Sequence, residues 1–545
     1  MKKFWSLFMI AMLAFVLAAC TTTDSSSDTK DEGKADEPTT EEKKILYLNN
    51  GDVPTSFDPP KGFDAVSYNA LNNLMEGLLR LNQNHEAEAA IAKDWTVSED
   101  GSVYTFNIRE EAKWSNGDDV TASDFVYSWT RLLEPERAYP SAFLGYLIKG
   151  AEEFNTGTGS ADQLGLKAVD AKTLEVTLTS PQAYFLNVIT SPAFFPVNEK
   201  VDKENPEWFN SAETFVSNGP FKLASWDKAS SFKFEKFAEY WDANTVVLDE
   251  VHWAMVNDGT TEYQMFQNGE LDQSDVPSEL SEQLHAEGKV LVEPQAGLYF
   301  YRLNVTKEPF QNEKIRKAFA LAINQQEIVE FVTKQKEEPA YGFVSTGLLD
   351  DKGNDFRETN GDLIKTDVEA AKKLLAEGMA EEGYTTLPAV SLTYNTSDTH
   401  QKMAEAIQQM IKQNLGVDLT LENMESAVFA EKAAALEFQF YRGSFLADFA
   451  DPVNYLESFQ TGHSMNRTGW SSAKYDELIK AAKAEADEPK RFAALYEAEK
   501  ILMDEVPVIP VHFYNSSYLL NDKVTGLVYH PVGFLELKWA DKKME

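Results

Sequence analysis

A lone arginine and a lone aspartate interrupt the apolar stretch FQFYRGSFLADFADPVNYL, residues 438–456. Arg442 follows residues with the pattern of a buried strand, and Asp448 ends the next apolar run. A guanidinium can bind a carboxylate through two parallel hydrogen bonds, and a carboxylate can bind an ammonium group through a charge-assisted one. A charge beside a hydrophobic core needs a partner. The stretch therefore predicts either internal ion pairs or the recognition of a charged ligand.

Motifs for catalysis or metal binding are scarce in the sequence. His85-Glu86-Ala87-Glu88-Ala89 begins like a zinc-protease helix, but Ala89 stands where the second histidine ligand is needed. There is no G-x-S-x-G nucleophile motif and no phosphate-binding G-x-x-x-x-G-K motif. The acidic loop 350–362 could bind Ca²⁺, but its carboxylates do not fit the EF-hand spacing, which favours a solvated loop. We expect no metal, no cofactor and no enzymatic activity.

The N-terminus predicts export. Lys2 and Lys3 precede an apolar run that ends in small residues, which is typical of a signal peptide over 1–19. Leu17-Ala18-Ala19-Cys20 resembles a bacterial lipobox, so Cys20, the single cysteine, is the expected lipidation site; the alternative is a plain signal peptide with an incidental cysteine. The acidic, polar composition of 20–43 predicts a disordered tether between the lipid and the folded body. The expected location is the outer face of the cell membrane, on a Gram-positive cell surface.

Length and charge restrict the class of protein further. The folded body has about 500 residues, too many for one hydrophobic core, so two or three domains are expected. The formal net charge of −38 becomes −40 when the two lysines of the signal peptide are removed. Phosphate binding requires a basic surface, so nucleic acid is excluded as a partner.

Hydrophobic periodicity predicts an α/β protein. VYTFNIR (103–109) and TLEVTL (173–178) predict antiparallel strands, and TASDFVYSWTRLL (121–133) predicts a helix capped at Thr121 or Ser123. In the second half of the chain helices and strands alternate. The predicted elements are a helix from Asn312, a helix from a capping box at 366–369 to Gly383, a strand at 390–394, a helix ending near Gly416, a strand at 417–421 and a helix leading to Phe438.

Seven runs of the sequence, in the same order, resemble one family along essentially the whole mature chain. This family is the oligopeptide-permease type of extracellular solute-binding lipoprotein (family 5). Its members are the receptors of peptide ABC importers. The runs are the opening stretch, SFDPPKGFDAVSYNALNNLMEGLLRLN, AKDWTVSEDGSVYTFNIREEAKWSNGDDVTASDFVYSWTRLLEP, VSNGPFKLASW, KIRKAFALAIN, LTYNTSDTH and KQNLGVDLTLEN.

The resemblance implies a class-C periplasmic-binding-protein fold (type II), in which two α/β lobes close on a ligand and one lobe carries an inserted extra domain. We expect lobe I at 44–75, 199–297 and 511–545, the extra domain at 76–198, and lobe II at 298–510. The chain would cross between the lobes, at a hinge, near Gln295–Tyr301 and Pro507–Phe513, because both segments are apolar, extended and flanked by proline or glycine.

The resemblance also implies the peptide-binding residues. Asp448 matches the aspartate that takes the peptide's α-ammonium, and Ser444 and Leu446 match residues whose backbone pairs with the peptide. From the other lobe the matching residues are Phe63, Asp64 and Ala65. Phe445 stands where the family often has tryptophan, and this departure reshapes the side-chain pockets, so specificity is not carried over.

Two further residues, Arg442 and His400, match positions that meet the C-terminal carboxylate of peptides of different lengths. Each also has an internal explanation, a salt bridge at a strand end for Arg442 and a helix-start role for His400. Which of the two meets the carboxylate stays open.

The function implied is a membrane-anchored, monomeric receptor that captures oligopeptides in an interlobe cleft and delivers them to the permease subunits of an ABC importer. The alternatives are a dedicated signalling-peptide (pheromone) receptor, or a chaperone or hydrolase on the same fold. A nucleophile–base pair facing the cleft would favour a hydrolase, and the sequence shows none.

Overall fold

The computed structural model describes residues 43–544, apart from the side chain of Ala427. The expected signal peptide at 1–19, Cys20 and nearly all of the expected tether lie outside these residues. Within 43–544, no helix is both long enough and apolar enough to cross a membrane.

Strands and α-helices are numbered along the chain. The strands are β1 (Ile45–Asn49), β2 (Leu79–Leu81), β3 (Ala87–Ala89), β4 (Ala92–Val97), β5 (Val103–Ile108), β6 (Leu166–Asp170), β7 (Thr173–Thr177), β8 (Phe221–Asp227), β9 (Ser231–Lys236), β10 (Glu250–Ala254), β11 (Gln273–Asp275), β12 (Leu291–Leu303), β13 (Glu338–Pro339), β14 (Val390–Asn395), β15 (Leu419–Met424), β16 (Phe440–Leu446), β17 (Val508–Leu520), β18 (Val524–Thr525), β19 (Val528–Tyr529), β20 (Leu535–Glu536) and β21 (Asp541–Lys542).

The helices are α1 (Ala65–Leu74), α2 (Ala122–Leu132), α3 (Ala151–Asn155), α4 (Phe185–Val188), α5 (Glu199–Glu204), α6 (Gly259–Gln267), α7 (Ser281–Ala286), α8 (Glu313–Leu321), α9 (Gln325–Ile328), α10 (Phe356–Asn360), α11 (Val368–Glu381), α12 (Asp398–Leu415), α13 (Ser426–Ala434), α14 (Val453–Glu457), α15 (Ala473–Ala484) and α16 (Glu488–Glu505).

Three larger sheets organise the described residues. The N-terminal sheet has the order β1-β10-β9-β8, the middle sheet β4-β5-β7-β6, and the large sheet β11-β17-β12-β16-β14-β15 with β13 added beside β17. The expected strands β5 and β7 pair antiparallel, which confirms that prediction. Helix α2 packs on the middle sheet, and of the two predicted capping residues Thr121 is the one used. The domain boundaries given above stay a prediction.

Strands β12 and β17 are the longest in the fold, with 13 residues each, and they run antiparallel along one another. Their register breaks between Pro294 and Leu298, where β12 carries an irregularity. The part of β12 before the break faces the part of β17 that also pairs with β11, and the part after it lies between β17 and β16. The expected hinge segments fall on this pair of strands, and their role as a hinge stays a prediction.

A buried ion pair fixes the middle sheet to the segment that precedes α1. Arg131, in α2, donates two hydrogen bonds to the carboxylate of Asp58, at 2.6 and 2.9 Å, and both side chains are 1% exposed. The Tyr139 hydroxyl donates to the same carboxylate at 3.0 Å. Bidentate geometry and a third donor satisfy a charge that would otherwise be costly to bury. The chain just before residues 63–65 is therefore held rigidly.

One predicted helix start is wrong by one residue. The pattern at 366–369 predicts a capping box led by Thr366, but the capping residue of α11 is Asp367, whose carboxylate accepts from the backbone N–H of Ala370 at 3.0 Å. The Thr366 hydroxyl instead donates to the carbonyl oxygen of Ile323 at 2.8 Å. A tertiary hydrogen bond thus takes the residue that the local pattern assigns to the helix.

Candidate functional site

Strand β16 has one edge that is only partly paired. It pairs with β12 over its whole length, from Phe440 to Leu446. On its other side β14 pairs only with Phe440 and Tyr441, because β14 ends at Asn395 and the chain turns into α12. No strand in residues 43–544 pairs with the other side of 442–446. We call this side of β16 the open edge.

The direction of the backbone groups along the open edge follows from the alternation of an antiparallel ladder. The N–H of Ala447 donates to the carbonyl oxygen of Ala296 at 2.8 Å, and that of Asn304 donates to Gln439 at 2.8 Å. Odd-numbered residues of β16 therefore direct their backbone groups toward β12. The N–H and C=O groups of residues 442, 444 and 446 point the other way, toward the open edge.

Asp448 lies just beyond the end of the open edge. Its own N–H donates to Oδ1 of Asn454 at 2.8 Å, and Nδ2 of Asn454 lies 3.4 Å from its carboxylate. Burial raises the pKa of the Asp448 carboxyl to about 6, against this weak hydrogen bond, and nearby Glu457 raises it further. The carboxylate is thus partly desolvated and has no cation as a partner in the described residues.

A cavity of about 890 Å³ opens beside Asp448. One wall comes from residues 143–188, around the middle sheet, and the other from residues 444–483 of the C-terminal half. Ser444, Phe445, Leu446 and Asp448, all expected at the binding site, line it together. The walls meet where the ring of Tyr184 stacks on that of Phe449 at 5.5 Å.

Arg442 and His400 lie around the ring of Tyr299, and neither lines this cavity. The guanidinium of Arg442 is 5.1 Å from the ring centre, and Nδ1 of His400 is 3.2 Å from the Tyr299 hydroxyl. Burial lowers the pKa of His400 to about 4, and the charge of Arg442 adds to the effect. No carboxylate within residues 43–544 pairs with Arg442, so the predicted alternative of an internal salt bridge is not the one adopted.

Residues 63–65 form the start of α1. The carboxylate of Asp64 caps this helix, accepting from the backbone N–H of Ser67 at 2.8 Å, and it also contacts the hydroxyl of Thr55. The ring of Phe63 is 6.1 Å from the ring of Phe143, which lines the cavity. Ala65 is the exposed first residue of the helix. The Asp64 backbone is also engaged, since its N–H donates to the Gly62 carbonyl oxygen at 3.0 Å and its C=O accepts from the N–H of Tyr68 at 2.9 Å.

Several residues at the site have no local signal in the sequence. Tyr299 and Tyr514 reach the neighbourhood of Arg442 through the long strands β12 and β17. Lys483 of α15 and Glu457 of α14, which form a 2.7 Å ion pair, also reach the cavity, as does Tyr184 from the turn before α4. Only the fold brings these residues together. Asn454 alone lies close in sequence, six residues after the aspartate it contacts.

Two sequence regions resemble metal-binding motifs, 85–89 and the acidic loop 350–362. No group of three or more potential ligands is assembled within residues 43–544. The Asp350 carboxylate accepts from the N–H groups of Lys352 and Asn354 and from the hydroxyl of Thr359, at 2.8–2.9 Å. Internal donors thus bind the Asp350 carboxylate, and this part of the acidic loop is held by its own hydrogen bonds.

An α/β fold with an open strand edge, and a cavity beside a partly desolvated carboxylate, are the features of a solute-binding protein. The model of the bacterial extracellular solute-binding proteins, family 5 (middle), matches residues 86–467, and the chain belongs to this family. The protein is therefore an extracytoplasmic solute-binding protein of the type II fold.

Relatives cover the whole length of the chain. The dipeptide-binding protein DppE of Bacillus subtilis (strain 168) is 56% identical over 541 residues, 99% of this chain and 99% of that protein. The oligopeptide-binding protein OppA of the same organism is 38% identical over 98% of each chain.

Among solved structures, the unliganded open form of MppA, a periplasmic murein tripeptide-binding protein, superposes with a TM-score of 0.81, at 30% identity over 92% of this chain and 98% of that chain. The complex of Haemophilus influenzae OppA with the peptide RPPGFSPFR superposes with a TM-score of 0.72, at 28% identity over 92% of this chain and 99% of that one. The TM-score is thus higher with the unliganded open form of MppA than with the peptide complex of OppA.

Proposed function

We propose that the protein is a receptor that captures oligopeptides between its lobes and delivers them to the permease subunits of an ABC importer. The observation that carries this proposal is the open edge of β16, which ends beside the desolvated carboxylate of Asp448. An unpaired strand edge binds an extended chain through main-chain hydrogen bonds, without reading its side chains. Two relatives are named a dipeptide-binding and an oligopeptide-binding protein, which supports peptides as the substrate class.

The backbone groups of Ser444 and Leu446 pair with the peptide in this account. Their N–H and C=O groups point to the open edge by the alternation described above, and both residues line the cavity. Phe63, Asp64 and Ala65 contribute contacts from the opposite wall. The likeness to an unliganded open form supports a resting state in which these two sets stand apart.

Asp448 takes the peptide's α-ammonium. A buried ammonium must be paired, and a charge-assisted hydrogen bond is about twice as strong as a neutral one. The ion pair would also relieve the cost that burial now imposes on the carboxylate, since its pKa is raised to about 6 without a ligand.

The other end of the peptide meets Arg442 or His400. Arg442 is a cation without a carboxylate in the described residues, and His400, with its pKa lowered to about 4, is a neutral hydrogen-bonding group at pH 7. A shorter or longer peptide would place its carboxylate nearer one or the other. This arrangement orders the peptide antiparallel to β16, with its N-terminus at Asp448.

Outside the binding site, we propose lipid attachment at Cys20, a tether that follows it, and a monomer that performs no chemistry on its ligand. The lipid would keep the receptor near the permease on the outer face of the membrane.

Calorimetry with a peptide and its N-acetylated form tests the proposal. Acetylation removes the ammonium, and Asp448→Asn removes its partner, so each change should weaken binding by about 2–5 kcal/mol. Asp522→Asn, at an exposed loop position, is the matched control and should bind like the wild type. Equal affinity for free and acetylated peptides would contradict the role of Asp448. A panel in which only one sequence binds would instead favour a dedicated signalling-peptide receptor.

A further inference from the structure

The arginines of this acidic protein differ in whether they have a carboxylate partner. All ten lie in the described residues. Five form ion pairs with carboxylates: Arg80, Arg131, Arg137, Arg357 and Arg491. Three donate to backbone carbonyl oxygens: Arg109, Arg316 and Arg467. Three arginines without a carboxylate partner within residues 43–544 lie around β16: Arg302, Arg442 and Arg467.

Arg302 is the most enclosed of these three. It is 7% exposed, and its guanidinium lies 4.7 Å from the ring centre of Phe300 and 5.9 Å from that of Tyr441. Its Nε has no hydrogen-bond acceptor in the described residues. Burial lowers the pKa of Arg302 to about 10, and the charges of Arg467 and Arg442 add to this effect. Aromatic rings compensate a buried cation only partly, so the site favours an anion.

The guanidinium of Arg302 lies over the middle of the open edge. A Cβ on Gly443 would overlap Nη1 of Arg302 and the ring of Phe300, so the absence of a side chain at Gly443 makes room for the guanidinium. Gly443 pairs with Phe300, whereas Arg442 pairs with Tyr301. Paired residues of a sheet share a face and successive residues alternate. Arg302 and Arg442 therefore occupy opposite faces of the sheet.

A peptide on the open edge would meet both faces. Its side chains alternate above and below the sheet, and the residue across from Gly443 lies within about 5.5 Å of it, on the face of Arg302. A carboxylate two or three bonds beyond that backbone would reach the guanidinium. Arg467, whose side chain donates to the Ser464 carbonyl oxygen at 3.5 Å and to no other group in the described part of the chain, stands beside it as a second cation.

We propose that Arg302, with Arg467 beside it, binds a side-chain carboxylate of the bound peptide, so that the receptor favours an acidic residue at the position across from Gly443. This inference rests on the proposed function and gives it a substrate class, peptides with an internal acidic residue. The same guanidinium could take a carboxylate or a free inorganic anion, and the experiment separates the two sources.

The first arm uses alanine peptides of three to five residues with free termini, in which one residue at a time is replaced by Glu or by Gln. Calorimetry should show one position where Glu binds about tenfold tighter than Gln, since a hydrogen bond to a charged group contributes about 1.5–3 kcal/mol. Equal affinities at every position would overturn the role of Arg302 and leave the proposed function standing. Failure of every peptide to bind would overturn both.

The second arm uses variants. Arg302→Gln should bring the ratio of Glu to Gln affinity to about one. The control is Arg137→Gln, at an arginine that pairs with Glu134, is 34% exposed and lies far from Arg302 in the sequence; this variant should keep the preference for Glu. Arg467→Gln, at the less enclosed cation, should lower the ratio severalfold and serves if Arg302→Gln does not fold. A ratio that is unchanged in both variants would overturn the proposal.

The third arm measures thermal unfolding of the peptide-free wild type and of Arg302→Gln as chloride or phosphate is added. We expect no saturable stabilisation by either anion. A saturable stabilisation that Arg302→Gln removes, together with no preference for Glu, would assign the site to a free inorganic anion and overturn the proposal.

Discussion

The Asp448 carboxyl is partly buried and has no cationic partner among residues 43–544. Its carboxyl has a pKa raised to about 6 by burial, although Asn454 donates a long hydrogen bond to it. A group that only has to stabilise the fold would be paired, as Asp58 is with Arg131 and Asp451 is with Arg491. The contrast between these aspartates supports the proposal that the partner of Asp448 is the ligand.

Peptide affinity should therefore fall as the pH drops through 6. The ammonium binds the ionised carboxylate, and at pH 5 only about one Asp448 in ten is ionised, so the affinity should be about tenfold lower than at pH 7.5. His400, with its pKa near 4, stays neutral over this range. Calorimetry from pH 7.5 to 5 measures the change. Asp448→Asn should bind weakly and show no such dependence, and a flat profile for the wild type would exclude Asp448 as the ammonium partner.

Glu262 is a second buried carboxyl, in α6 and away from the cavity. Burial raises its pKa from 4.5 to about 7, and the nearby Asp275 carboxylate adds to the rise. Its Oε1 accepts from the backbone N–H of Asp275 at 3.0 Å. Because folding raises this pKa, the folded protein favours the protonated form, and stability is lost as the pH rises from about 4.5 through 7.

Glu262→Gln should accordingly stabilise the protein at pH 8, by about 1–2 kcal/mol, and leave it nearly unchanged at pH 5. Glutamine keeps an oxygen acceptor but carries no charge. Denaturant unfolding at the two pH values provides the measurement, with Glu270→Gln, at an exposed position, as the control. Equal stabilisation at both pH values would mean that the charge of Glu262 is not the cause.

Among the helices and strands, the sequence predicts correctly those in which one face is buried. The apolar residues of 390–394 predict β14, and the helix predicted from Asn312 is α8, with Asn312 as its capping residue. Local patterns failed where a tertiary contact competed, as at Thr366, whose hydroxyl bonds Ile323 instead of capping α11. The resemblance supplies Asp448 and Arg442 as candidates, but only the fold shows that neither forms an ion pair within residues 43–544.

The open edge could not be predicted from the sequence of β16 itself. It exists because a different strand, β14, ends at Asn395 and covers only Phe440 and Tyr441. Nor does the sequence show that Arg302 lies over Gly443, since the two residues are far apart along the chain and meet only through the register of β12 with β16.

Gly443→Ala tests the close packing on this strand. The added Cβ would overlap Nη1 of Arg302 and the Phe300 ring, so the variant should lose about 1–3 kcal/mol of unfolding free energy. Gly259→Ala, where a Cβ meets nothing within 4 Å, is the matched control and should be neutral. Denaturant unfolding compares the two. A Gly443→Ala protein as stable as the control would show that Arg302 does not lie over this glycine.

For the whole molecule, we expect the two walls of the cavity to close on one bound peptide. The walls come from distant parts of the chain, residues 143–188 on one side and 444–483 on the other, and Phe63 lies beside Phe143 of the first wall. The strands β12 and β17, with their register break at Pro294, are the expected hinge. A ligand that contacts both walls stabilises the closed form by its difference in affinity for the two forms.

Amide hydrogen exchange with and without a saturating peptide tests directly whether the peptide adds a strand to the open edge. In the free protein the N–H groups of Ser444 and Leu446 point to the open edge, so they should exchange fast. Binding of a free peptide should slow exchange in fragments covering 440–449 and 63–66, and leave the β8–β9 hairpin, 221–236, unchanged. Unchanged exchange across 440–449, with saturation verified by calorimetry, would contradict the account.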